Sequence, residues 1–98
     1  MNKTELVKQI ARESKFTDRP LTRDQVRWVI DALFAAIQTE LATNGARVEI
    51  EHFGVWENRI VKNQDRSRLA GNIVPVSEHS IVTFRTSKQF RAQLKQQL

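Results

Sequence analysis

The stretch RIVKNQDRSRLAGNIV, residues 59–74, sets Arg59, Lys62, Arg66 and Arg68 against one acid, Asp65. Between Lys62 and Asn72 only Leu69 and Ala70 are apolar, so the segment has too little apolar surface to pack on both faces. It must project into solvent or lie on a partner. Arg66 and Arg68 occupy alternate positions, which in an extended ribbon turns both guanidinium groups to the same side. Cations presented in this way neutralise phosphate oxygens, and a two-stranded ribbon with arginine at its tip fits a nucleic-acid groove. Arg85, Lys88 and Arg91 continue the basic series downstream.

The charge is unevenly placed. The chain of 98 residues carries +5 overall, yet residues 1–58 hold eight Lys/Arg against nine Asp/Glu, and residues 59–98 hold eight against two. One reading is a polyanionic partner, nucleic acid before membrane, because the basic half is not an amphipathic lipid-binding helix along its length. The other is a solvated basic face that aids solubility.

Catalytic and metal chemistry find little support. There is no cysteine, and His52 and His79 stand in no metal-ligand spacing, so neither a metal site nor a cofactor is expected. Glu78-His79-Ser80 puts an acid, a base and a hydroxyl side by side. Strand neighbours, however, point to opposite faces, and a catalytic triad must converge in space. Three glycines leave little material for a phosphate-cradling loop. Trp56 reads as a sheet-packing aromatic, and the arm holds none on which single strands would stack, which favours a duplex. No catalytic residue is assigned and no enzyme is expected.

With 40% of residues hydrophobic and 28% charged, the chain has the balance of one soluble domain with a modest core. Disulfides are excluded, which leaves oligomerisation as the supplement to that core. The N-terminus MNKTELVKQIARESK mixes charges every few residues and lacks the apolar core of a signal peptide or any run long enough to span a bilayer. A cytoplasmic location is expected.

The elements that must position the cations can be read from caps and periodicity. Asn2 followed by Glu5 resembles a capping box, after which Leu6, Ile10 and Val7 suggest a short amphipathic helix ending near Ser14. KFTDRPL is a connection. Thr22 and Gln25 form a second capping box and open a second helix, with Leu21 able to staple onto Val26. Val26, Val29, Ile30, Leu33, Phe34, Ile37 and Leu41 recur in it at three- and four-residue spacing, and Trp28, Ala32, Ala35 and Ala36 widen the stripe. Asn44-Gly45 turns the chain. Arg47 to Glu51, Val55 to Val61 and Ile73 to Phe84 read as three strands, with Phe53-Gly54 turning between the first two and Pro75 irregular in the third. Ser87 can cap a last helix in which Phe90, Leu94 and Leu98 share one face.

The width of the apolar stripe on the second helix exceeds what one small interior covers. A dimer seam is the first explanation, with an ordinary core helix and a surface Trp28 as the second.

Three motifs in order resemble the HU/IHF family of bacterial DNA-bending, histone-like nucleoid proteins. MNKTELV is similar to its N-terminal signature, VEIEHFGVWENR to its strand-turn-strand around a Phe-Gly, and IVPVSEHSIVTFRTSKQFRAQL to the end of the arm, third strand and C-terminal helix of integration host factor α-type chains. The resemblance runs through nearly the whole chain. It implies an α+β fold of two N-terminal helices, a three-stranded antiparallel sheet with a long β-ribbon arm, and a short C-terminal helix, assembled as an intertwined dimer. Residues 1–98 then form one domain: a helical dimerisation body over 1–45, the sheet over 46–86 with its arm at about 59–74, and the last helix over 87–98. Val29, Ile30, Leu33, Phe34, Ile37, Leu41 and Phe53 would make the dimer core. The dimer would be a homodimer, or a heterodimer with a related chain.

The function implied is an architectural protein that binds the minor groove of double-stranded DNA through its arms and bends or compacts it with little sequence specificity, in the cytoplasm and on the nucleoid. Lys3, Arg59, Lys62, Arg66, Arg68, Arg85, Lys88 and Arg91 are the expected phosphate contacts. The match to family positions is clearest for Arg59, Arg68, Arg85 and Lys88. Three sites depart from the family pattern: His52-Phe53-Gly54 stands for Gly-Phe-Gly, Thr86-Ser87 for Pro-Gly, and Ser67-Arg68-Leu69-Ala70-Gly71 for a tip carrying Arg-Asn-Pro. The connection around FTDRP is also a few residues longer. With no tip proline, Leu69 is either a substitute wedge between base pairs or a residue packed on its own hairpin. The alternative function is a dimeric protein-interaction module of the same fold that has lost DNA bending.

Overall fold

The computed structural model describes residues 1–63 and 77–97, and the elements run α1 (Lys3–Ser14), α2 (Arg23–Leu41), β1 (Arg47–Ile50), β2 (Gly54–Asn63), β3 (Ser77–Thr86) and α3 (Lys88–Gln96). Contacts divide the chain into two units, Met1–Gln38 and Thr39–Leu98. The boundary falls inside α2, ahead of residue 45. The last turn of that helix belongs with the sheet because Asn58 of β2 holds the Leu41 carbonyl.

In the helical unit the caps form as their sequences require. Asn2 accepts the Glu5 N–H at 3.0 Å and opens α1. Thr22 accepts the Gln25 N–H at 3.1 Å while Gln25 accepts the Thr22 N–H at 2.9 Å, a reciprocal box that fixes the start of α2. The buried stripe of α1 keeps Val7 of the expected residues and adds Ala11 and Ser14, whereas Leu6 and Ile10 remain partly exposed in the single chain. Val7 and Ala11 cluster with Val26 and Ile30 of α2. The small Ala11 lets the two helices approach, which a longer side chain at that position would prevent. Ser14 closes the connection, donating to the Ala11 carbonyl at 2.7 Å and accepting the Leu21 N–H at 2.9 Å.

The second unit is built on an antiparallel sheet of order β1-β2-β3. Arg47 pairs with Glu57 across β1 and β2, and Gly54 with Thr86 through Asn63 with Ser77 across β2 and β3. The third strand extends to Thr86, two residues past its expected end, because Ser87 then caps α3 by accepting the Phe90 N–H at 3.1 Å. Pro75 lies outside the described residues. Phe53, Trp56, Phe84 and Phe90 form an aromatic cluster with ring centroids 5.0 to 5.9 Å apart. Gly54 is required beneath it, since a Cβ there would overlap the Phe84 ring and the Arg85 carbonyl. His52 turns the chain from β1 to β2 with φ of 65°, a left-handed conformation that glycine adopts more readily.

Candidate nucleic-acid interface

Alternation along the paired strands sorts the basic residues onto two faces. Arg47, Glu57, Arg59 and Arg85 share one; Lys62, Glu78, Trp56 and Phe84 share the other. Arg59 stands opposite Ile81, exposed, one step toward the arm from Glu57. The Arg85 guanidinium reaches the Glu57 carboxylate at 3.5 Å, diagonally across the ladder, and remains 65% exposed, so most of its donors still face solvent. On the opposite face Lys62 lies 3.9 Å from Glu78, its direct register partner. The sequence treated Arg59, Lys62 and Arg85 as one set. The strand period separates Lys62 from the other two.

A second grouping forms where β3 passes into α3. Arg85, Lys88 and Arg91 border an open depression of about 540 Å³ lined also by Val55, Thr86 and Ser87. The Ser87 N–H donates to the Phe53 carbonyl at 2.8 Å, and its hydroxyl caps α3. Serine at this junction therefore fixes the direction in which Lys88 and Arg91 leave the sheet. All three cations are exposed.

The remaining expected contacts are distributed differently. Lys3, in the helical unit, is 2.9 Å from Asp31 of α2. Arg66, Arg68 and Leu69 lie outside the described residues. Of the expected dimer-core residues, Val29, Leu33 and Phe34 are about half exposed in the single chain, Ile37 is half-buried, and Phe53 joins the aromatic cluster. Ile30 and Leu41 are already buried within one chain. Among the described residues no three His, Cys, Asp or Glu side chains gather as metal ligands, and no helix is long and apolar enough to cross a membrane.

Two residues of the interface were not anticipated. Glu57 sets how much of Arg85 is available, and the alternation Glu57-Arg59 within a strand was its only signal. Asn58 is 4% exposed, donates to the Leu41 carbonyl and bonds the Ala46 carbonyl through its own N–H. Nothing in the sequence distinguishes it from a surface asparagine.

A family model described as "Bacterial DNA-binding protein" matches residues 1–95. The chain belongs to this family. It is 33% identical over 76 residues to the DNA-binding protein HU of Treponema pallidum (strain Nichols), covering 76% of this chain and 71% of the relative. It also superimposes on an Anabaena HU–DNA cocrystal structure with a TM-score of 0.69 at 23% identity, over 96% of this chain and 97% of the other. That likeness establishes the fold: three helices and a three-stranded antiparallel sheet, as the HU/IHF resemblance implied.

Proposed function

We propose that the protein is an architectural double-stranded DNA-binding protein, acting as a dimer on the bacterial nucleoid in the cytoplasm, that grips the minor groove between β-arms and bends the duplex with little sequence preference. The observation that carries this reading is the placement of Arg59 and Arg85 on one sheet face with Lys88 and Arg91 beside them, at the base of strands that run out to Asn63 and Ser77. Cations so arrayed displace condensed counterions from phosphate, which gives affinity without base readout. Membership of a bacterial DNA-binding family and a relative named for DNA binding support it. The role is structural rather than catalytic.

In this reading Arg66 and Arg68 extend the phosphate contacts along the arm, Lys62 serves its outer face, and Lys3 adds a contact from the helical body once Asp31 yields it. Leu69 unstacks a base step. The half-exposed stripe of Val29, Leu33 and Phe34 meets its counterpart in a second copy of the chain or a related one. The body, sheet with arm, and last helix divide as residues 1–45, 46–86 and 87–98.

The test is an energy-transfer titration of an end-labelled duplex of about one to three helical turns, at low and high salt. Saturable binding with rising transfer that weakens steeply with salt is the expected result. Binding without a change in transfer describes a DNA coater that does not bend. No binding at low salt overturns the reading in favour of a protein-interaction module.

A further inference from the structure

Asn44 is the one asparagine of the chain that precedes a glycine. The pair forms the centre of a turn between α2 and β1, closed by the Ala46 N–H donating to the Thr43 carbonyl at 3.1 Å. Gly45 takes the third position of that turn with φ of 79°, as type II geometry requires. Both residues are exposed, and a Cβ built on Gly45 would meet nothing within 4 Å, so the Asn44–Gly45 peptide is open to solvent on that side. Among the described residues the Gly45 N–H makes no hydrogen bond. The Asn44 side chain, by contrast, is held: its Oδ1 accepts the Ser80 hydroxyl of β3 at 2.9 Å, from a partner 36 residues away in the chain.

A free backbone amide next to an asparagine side chain is a nucleophile beside an electrophile. Hydroxide removes the Gly45 N–H proton, and the nitrogen attacks Cγ of Asn44 to form an N–Cγ bond. Negative charge then gathers on Oδ1, the atom to which Ser80 already donates, which is the placement that stabilises an oxyanion. The Cγ–Nδ2 bond breaks as Nδ2 takes a proton from water, and ammonia leaves. Water next opens the five-membered succinimide at either carbonyl, giving aspartate or isoaspartate at position 44. Glycine is the residue that hinders such an attack least, because it carries no Cβ.

We infer that Asn44 is a self-modification site that deamidates through a succinimide with Ser80 as the oxyanion donor. The consequences fall on the junction of helix and sheet. A new carboxylate just past Leu41 opposes the negative end of the α2 dipole. Isoaspartate also lengthens the backbone by a methylene within the turn that presents the Ala46 carbonyl to the Asn58 N–H at 2.9 Å. The age of a chain is thereby coupled to how firmly α2 is joined to the strands.

The test incubates the folded protein at mildly alkaline pH and follows residue 44 by peptide mass mapping, with isoaspartate scored by enzymatic methyl transfer. Asn2, Asn58 and Asn63 serve as internal comparators. Conversion at Asn44 ahead of all three is expected. Ser80→Ala slows it roughly 3- to 10-fold, less than loss of an oxyanion donor costs in a water-excluded site. Ser80→Thr, which keeps the hydroxyl, retains the wild-type rate. In urea, where the contact between Asn44 and Ser80 is lost, the three proteins convert alike. Converted wild type, separated by its added negative charge, melts a few degrees below fresh protein. Conversion at Asn44 no faster than at Asn2 or Asn63 overturns the site. Equal folded rates for wild type and Ser80→Ala overturn the role of Ser80, and an unchanged melt overturns the coupling to the junction.

Discussion

The side-chain amide of Asn58, in the middle of β2, donates a 2.7 Å hydrogen bond to the carbonyl oxygen of Leu41, the last residue of α2. Both residues are buried. The bond satisfies one of the terminal carbonyls that a helix leaves without an internal partner. The Asn58 amide oxygen, by contrast, is buried with no hydrogen-bond partner. Asn58→Ala strips the helix end of its donor and is expected to lower the unfolding free energy by about 1–3 kcal/mol. Asn58→Asp, an acceptor only when ionised, lowers it further, while Asn58→Leu lowers it least because it fills the space and removes the orphaned oxygen. Urea unfolding near neutral pH gives the order; a leucine variant less stable than the alanine one would contradict it.

His52 offers a stabilising change. Its φ of 65° costs a residue with a Cβ about 1–2 kcal/mol, part of which His52→Gly recovers against the greater freedom of glycine in the unfolded chain. A net gain of roughly 0.5–1 kcal/mol is expected in a thermal melt. His52→Val moves the other way, because a β-branched side chain resists that conformation most.

Glu57 competes with DNA for Arg85. Replacing it by Gln frees the guanidinium, so DNA affinity rises at low salt and the salt slope steepens by up to about 1. Folding stability changes little, since the Arg85 side of the 3.5 Å pair is 65% exposed and screened. A salt series for the two proteins checks this; parallel slopes would mean that Arg85 does not touch phosphate.

The apolar stripe of α2 predicts its own disruption. Leu33 is 48% exposed in one chain, so Leu33→Asp leaves each chain's buried cluster of Val7, Ala11, Val26 and Ile30 intact while placing a charge in the proposed seam. Sedimentation is expected to show a shift from dimer to monomer. An unchanged dimer would place the seam elsewhere.

If Leu69 is a wedge, Leu69→Ala reduces the bend while most affinity survives, because unstacking and phosphate neutralisation are separate contributions. Energy transfer at saturation reads the bend directly. Equal transfer for both proteins would return Leu69 to its own hairpin.

Local signals were legible in the sequence and non-local ones were not. The Asn2 and Ser87 caps and the Thr22–Gln25 box were written in residues three apart, and all three form. On α1 the sequence named Val7, which is buried, together with the larger Leu6 and Ile10, which remain partly exposed in the single chain. Helix packing instead selected the stripe of Val7 with the small Ala11 and Ser14. The cations could be listed from composition, but only the register reveals that Arg59 and Arg85 share a face and that Glu57 reaches Arg85. The role of Asn58 depends on a partner in another element, which no window of sequence contains.

The helical unit closes through short-range bonds: the Thr22–Gln25 box, and the Ser14 hydroxyl spanning only from Ala11 to Leu21. The strands follow both helices in the chain, and the ladder joining β2 to β3 runs from Asn63 opposite Ser77 to Gly54 opposite Thr86. During synthesis the α2 stripe emerges before the strands do, so two nascent chains can recognise each other before either has an arm to place on DNA.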